Sequence, residues 1–171
     1  LKANTEPDDV VVAIPEILLI PLLADRRSSL LLVPIAPTFL EFLGPSYRER
    51  FFNSVLEADV LVYFENPRRF GHIRMEKGRF KVFHPQLYQR ISENFTFENR
   101  VGDYIILRKS PDSSGATEAF LRGWESYKYG PYEDALKDLS RAMELGGPRE
   151  SIEPLVEELR GKLAPIPPVV D

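Results

Sequence analysis

The 171-residue chain has no cysteine, two histidines, two methionines and a single tryptophan. Without thiols it can form no disulfide, no thiolate zinc site and no cysteine nucleophile. That leaves the compartment open, because an extracytoplasmic bacterial domain can also lack cysteine. His72 and His84 stand in no metal-ligand spacing such as H-E-x-x-H. The chain also has no G-x-G-x-x-G or G-x-x-x-x-G-K-[ST] phosphate loop and no G-x-S-x-G turn. The reading is therefore no catalytic residue, no metal and no cofactor.

Long hydrophobic runs are also missing. The most apolar stretch, residues 10–24, is interrupted by Pro15, Glu16 and Pro21, well short of the roughly 20 apolar residues that cross a bilayer. No transmembrane span or signal peptide is expected. The chain opens on Leu1 rather than methionine, which reads as a piece whose upstream sequence holds the main function. Excess positive charge is lacking too: 22 basic against 26 acidic side chains give a net charge of −4, so there is no broad field for a nucleic-acid backbone. Charge is uneven, however. Arg26, Arg27, Arg68, Arg69 and Arg74 make the first half more basic, and Glu150, Glu153, Glu157 and Glu158 make the end acidic.

What is present describes a folded protein. An apolar fraction of 43% and a charged fraction of 28% are ordinary for a packed chain, and the length suits one domain with a small helical addition. Residues 10–14 form an apolar, β-branched run of the kind buried on both faces of a sheet. A helix opened by Pro15 and kinked by Pro21, a second strand over residues 30–35 and a helical turn over residues 38–44 are expected next. Ser46 and Glu49 have the spacing of a capping box, and Tyr47, Phe51, Val55 and Ala58 recur at helical spacing behind them.

The run VLVYF at residues 60–64 follows directly, so strand, helix and strand suggest the crossover unit of a parallel sheet. Alternation over residues 71–83 around Lys77-Gly78 predicts a hairpin. His84-Pro85 starts a helix whose apolar positions are Leu87, Tyr88, Ile91 and Phe95, and Gly102-Asp103 leads as a turn into a last strand at Tyr104. The polar stretch KSPDSSG then reads as a linker. The expected fold is α/β, a small mostly parallel sheet flanked by helices over residues 1–109. A linker over 110–115 joins it to an all-helical unit over 116–171 that ends in a Pro-rich tail.

In the helical unit small residues recur at Gly123, Ala135 and Ala142, with Gly130 in the turn between two helices. Tyr127, Tyr132 and Leu139 supply the large side chains around them. This segment resembles a tetratricopeptide repeat, a helical hairpin of about 34 residues. Gly123 matches the small residue of its first helix, Gly130 the turn glycine and Tyr132 the aromatic after it. Ala135, Leu139 and Ala142 match the contact positions of the second helix, while Pro148 stands one residue late. Ala119 departs from the usual tryptophan, and Arg122 from the usual apolar residue. One repeat cannot build the concave groove of a long array, which needs about three. Ile152, Leu155, Val156, Leu159 and Leu163 form the stripe of a third, capping helix. The unit is a buttress, a contact to a further repeat or subunit, or a partner-binding surface through Tyr127, Tyr129 and Tyr132.

Candidate ligand contacts lie beyond the carboxyl ends of the expected strands, where α/β sheets bind ligands. Glu16 is either such a contact or a carboxylate favoured by a helix terminus. Glu65, Arg68 and Arg69 either cradle a phosphate or sugar through an arginine fork or form a solvated loop.

The order of elements over residues 10–108 carries a second resemblance. Its motifs are a strand running into Pro15-Glu16, a helix ending in Asp25-Arg26-Arg27, and a helix leading to Ala58-Asp59-Val60-Leu61-Val62. A His-Pro-x-Leu-Tyr helix start and the closing Arg100-Val101-Gly102-Asp103-Tyr104 follow. The series is similar to the soluble extracytoplasmic region of polytopic glycosyltransferases of the dolichyl-phosphate-mannose and aminoarabinose transferase type. The resemblance implies a non-catalytic accessory domain on the extracytoplasmic face of a bacterial or archaeal membrane. It would shape acceptor access, with the membrane-embedded part of the same polypeptide or a protein as partner. No residue matches the family's catalytic loop. The alternative is a soluble, cytoplasmic adaptor that binds a protein through the tetratricopeptide-like helices.

Overall fold

The computed structural model describes residues 5–14, 25–28, 44–64, 85–111 and 114–164. The expected helix over 15–25, the strand over 30–35, the turn over 38–44, the hairpin over 71–83 and the Pro-rich tail lie wholly or almost wholly outside these residues.

Four strands form one sheet: β1 (Val11–Ile14), β2 (Val60–Phe64), β3 (Phe95–Val101) and β4 (Tyr104–Lys109), in the order β1-β2-β4-β3. Two helices, α1 (Pro45–Leu56) and α2 (Pro85–Asn94), are interleaved with them. Three more follow: α3 (Ala116–Tyr129), α4 (Tyr132–Glu144) and α5 (Arg149–Leu163).

The expectation of a mostly parallel sheet is overturned. Only β1 and β2 run parallel, Val12 facing Leu61; β2 with β4 and β4 with β3 are antiparallel. The apolar runs in β2 and β4 report burial of both faces, which any central strand requires. Direction is set by the connections. A crossover containing α1 returns the chain parallel, whereas the two-residue turn at Gly102-Asp103 forces β3 and β4 antiparallel.

Strand β3 is also a departure, because Phe95 continues the helical stripe of α2 in the sequence. The helix stops at Asn94, and Phe95 and Phe97 instead point inward at the two-residue period of a strand. A register shift between Phe97 and Asn99 bulges β3 at Glu98.

The sheet buries both faces. Val12, Ile14, Leu61, Tyr63, Ile105 and Leu107 belong to the main core with Phe52 and Val55 of α1 and Leu87 and Ile91 of α2. Val11, Ala13, Val60, Val62 and Ile106 form a second cluster. The capping box expected at Ser46 is absent. Pro45 opens α1 behind Gly44, whose φ is +78°, with no side-chain cap. A proline at the first helical position has no amide to satisfy and is already at helical φ, so the helix starts one residue early. Glu49 is used elsewhere, accepting from Arg90 of α2 at 2.8 Å.

The main core continues without a break into the helical unit. Phe97 of β3 stacks on Phe120 of α3, with centroids 3.6 Å apart and planes within 6°. The Phe97 amide donates to the buried Thr117 hydroxyl at 2.9 Å. Between α3 and α4 the backbones meet at Gly123. A Cβ there would stand 2.8 Å from Leu139 Cγ and 2.9 Å from its backbone nitrogen. The expected third helix is present, with Ile152, Leu155, Val156 and Leu159 buried.

Because the obstruction at Gly123 includes backbone, Gly123→Ala must push α3 and α4 apart. The expected cost is about 1–3 kcal/mol, measured as a lower urea midpoint at unchanged slope.

Candidate partner-binding face

The aromatic residues of α3 lie at i, i+4 and i+7, so Phe120, Trp124 and Tyr127 share one face. Starting from Phe97, the rings stack in series. Phe120 to Trp124 is 6.4 Å between centroids and Trp124 to Tyr127 is 5.4 Å, with planes within about 15°. The column begins in the core and ends near the surface, where Tyr127 is half-buried.

Cations gather on this column. The Arg100 guanidinium carbon, at the end of β3, lies 5.6 Å from the Trp124 centroid, and Lys128 Nζ lies 4.4 Å from it. Lys162 Nζ of α5 stands 5.2 Å from the Tyr127 ring and 5.1 Å from the Tyr132 ring. Aromatic faces attract such charges through the ring quadrupole. Two carboxylates balance them: Asp103 pairs with Lys128 and Glu158 with Lys162. The Tyr127 hydroxyl donates to Glu158 Oε2 at 2.8 Å.

The three tyrosines read from the sequence therefore separate in role. Tyr127 and Tyr132 are brought together under Lys162. Tyr127 is a structural cross-brace between α3 and α5, whereas Tyr132, the first residue of α4, is 39% exposed. Tyr129 is half-buried at the end of α3. Sequence reasoning missed Glu158, Lys162, Arg100, Asp103 and Lys128. Only the Glu158–Lys162 pair had a local signal, the i,i+4 spacing of a helical ion pair. Glu16, Glu65, Arg68 and Arg69 lie outside the described residues.

A second feature is an open cleft of about 700 Å³ between Glu6, β3, β4 and the first turn of α5. Its wall mixes signs, Glu98 and Glu150 against Arg108 and Arg149. Arg108 is held by Glu98 at 3.2 Å and Asp9 at 3.4 Å. Ser151 donates to Asn99 Oδ1 at 2.9 Å across the junction.

The electrostatics do not favour acid–base chemistry. Burial pushes the Tyr127 phenol up to about 12, with the Glu158 carboxylate adding to the shift. The Lys162 ammonium, then the Tyr127 hydroxyl, hold Glu158 below the ordinary carboxylate range, and Glu158 raises Lys162 in turn. Burial alone would lower Arg108, but Glu98 and Asp9 outweigh it and raise it. Each shift reinforces the protonation state the group already has at neutral pH, the opposite of a group poised to exchange a proton. No three histidine or acidic side chains converge as a metal cage among the described residues, and no described helix is long and apolar enough to cross a membrane.

With its folded value above the unfolded value of about 10, protonated Tyr127 contributes stability that is complete below pH 10 and is lost as the pH rises towards 12. In a near-ultraviolet tyrosinate titration Tyr127 is expected to ionise late. Tyr127→Phe should reduce the amplitude of the late ionisation by one tyrosine.

No family model, no curated protein and no solved structure matches this chain.

Proposed function

We propose that this chain is a protein-binding module that engages its partner through the end of the molecule where the β3–β4 and α3–α4 turns meet. One observation carries the reading: among the described residues, the large hydrophobic side chains left exposed are Val101, at 53%, and Tyr132, at 39%. Val101 closes β3 and Tyr132 opens α4, and the Lys128–Asp103 pair ties the two turns together. Exposed aromatic and aliphatic groups on a rigid support are what a partner's hot-spot residues pack against.

The partner's contact is made by side chains. Two amides of β3 are already taken by side chains, Phe97 by Thr117 and Arg100 by Asn99 at 2.7 Å, which disfavours an added strand at this edge. The resemblance of α3 and α4 to a tetratricopeptide hairpin supports the same reading, since such hairpins present side chains to proteins. Glu153, Glu157 and Arg160 make the outer face of α5 polar and exposed, the character of a terminal cap.

The test uses Tyr132→Ala combined with Val101→Ser, surface changes that should leave the free energy of unfolding within about 0.5 kcal/mol of the parent. Partners recovered by the parent in affinity purification should bind this double variant about 30-fold more weakly. Equal recovery would remove the reading.

A second reading, the accessory region of a lipid-linked sugar transferase, is supported by three of its motifs that fall on described elements: Ala58 to Val62 runs into β2, Pro85-Gln86-Leu87-Tyr88 opens α2, and Arg100 to Tyr104 makes the β3–β4 turn. It predicts several hydrophobic segments of about 20 residues encoded upstream of Leu1. Fewer than several would sink it.

A further inference from the structure

Helix α5 packs chiefly against α4, to which it is joined through Leu145, Gly146, Gly147 and Pro148, where Gly146 takes a φ of +95°. Its apolar stripe packs into the main core. Among the described residues, its side-chain polar links to the rest of the protein are the Ser151–Asn99 bond at its first turn and the contacts of Glu158 and Lys162 near its end.

Those two residues engage Tyr127, the cross-brace, and Tyr132, the aromatic ring that the partner-binding reading calls on. Lys162 lies over both rings, and Glu158 occupies the Tyr127 hydroxyl. The ammonium group covers part of each ring, so a second molecule meets only the remainder of the 39%-exposed Tyr132. We propose that α5 is an autoinhibitory helix: Glu158 and Lys162 latch it onto Tyr127 and Tyr132, and a partner reaches the full aromatic surface only when the latch opens. The competition rests on the partner-binding reading; the latch itself does not.

Charge explains why Glu158 is the keystone. Arg100 from β3, Lys128 from α3 and Lys162 from α5 face the Tyr127 region, and Asp103 from the β3–β4 turn and Glu158 from α5 oppose them. Tyr132, from α4, is neutral. Removing Glu158 leaves three cations against one carboxylate, so Lys162 loses its partner and is repelled by Arg100 and Lys128. The helix then keeps its apolar stripe but loses the attachment at its C-terminal half. Elements held by few polar links open locally, below the free energy of global unfolding.

Hydrogen–deuterium exchange on the full chain is the test. In the parent, amides of residues 152–159 should exchange faster than those of β2 and β4. Glu158→Ala should accelerate α5 by about five- to thirty-fold and leave β2 and β4 unchanged. Lys162→Met, which keeps the aliphatic stem, should act in the same direction. Hydroxyl-radical footprinting should show greater labelling of Tyr127 and Tyr132 in both variants. If α5 exchanges at the same rate as β2 and β4 in the parent, or if the variants accelerate all elements alike or none, α5 is an ordinary part of the core and the latch does not exist. Unchanged labelling of both tyrosines would overturn the shielding. None of these measurements needs a partner, so their failure is separate from failure of the Tyr132→Ala, Val101→Ser test.

Discussion

The stacking of Phe97 on Phe120 is the contact on which the arrangement of this protein depends. Phe97 is the last residue of β3 before the bulge, and Phe120 belongs to the first helix of the C-terminal unit, so one ring pair joins sheet to helices. Thr117, one turn earlier on α3, accepts the Phe97 amide and fixes the helix against the strand edge. Aromatic pairs contribute about 0.5–1.5 kcal/mol beyond the area they bury. Their larger effect here is geometric. Once Phe120 is seated, Trp124 and Tyr127 follow on the same helical face, and the column must emerge where the β3–β4 turn and the C-terminal half of α5 meet it.

That column accounts for the charge distribution at this end. Trp124 is fully buried, yet Arg100 and Lys128 approach its ring, and further out Lys162 approaches two tyrosines. Cations this close together repel unless anions are interleaved, and Asp103 and Glu158 supply them. The indole Nε1 of Trp124 and the Nε of Arg100 are buried without hydrogen-bond partners. Their cost is tolerated where the stacking and cation–π contacts are densest. Outside the column, Tyr132 and Val101 are the large hydrophobic side chains left exposed among the described residues.

The two strand edges have different chemistry. At β3 two backbone amides are taken by side chains, Phe97 by Thr117 of α3 and Arg100 by Asn99 of β3 itself, a protection against unwanted pairing. At the other edge Val10 bridges Arg27 in parallel, and the Val11 amide donates to the Arg27 carbonyl at 2.8 Å. Arg27 also donates to the Asp8 carbonyl at 2.9 Å, and Arg26 donates to the Thr5 hydroxyl at 3.0 Å, so the basic pair read from the sequence organises the first turn of the chain.

Much of the fold was legible from local signals. The stripes at Phe51, Phe52 and Val55, at Leu87 and Ile91, and at Ile152, Leu155, Val156 and Leu159 report helices because burial repeats every 3.6 residues whatever the partner. Small residues at Gly123 and Ala135 marked a close helix contact for the same local reason. Sheet polarity was not legible, since VLVYF is equally apolar beside a parallel or an antiparallel neighbour. Nor was the start of β3, because Phe95 fits both the end of a helical stripe and the start of a strand. By itself, then, the sequence determined several helices with their buried stripes and the absence of thiols and phosphate-loop motifs; each follows from composition or short-range spacing. Only the tertiary structure decided that Lys162 covers Tyr127 and Tyr132, that Glu158 holds Tyr127 and that Arg100 meets Trp124. These are contacts between residues far apart in the chain, and their energies depend on distances that no periodicity encodes.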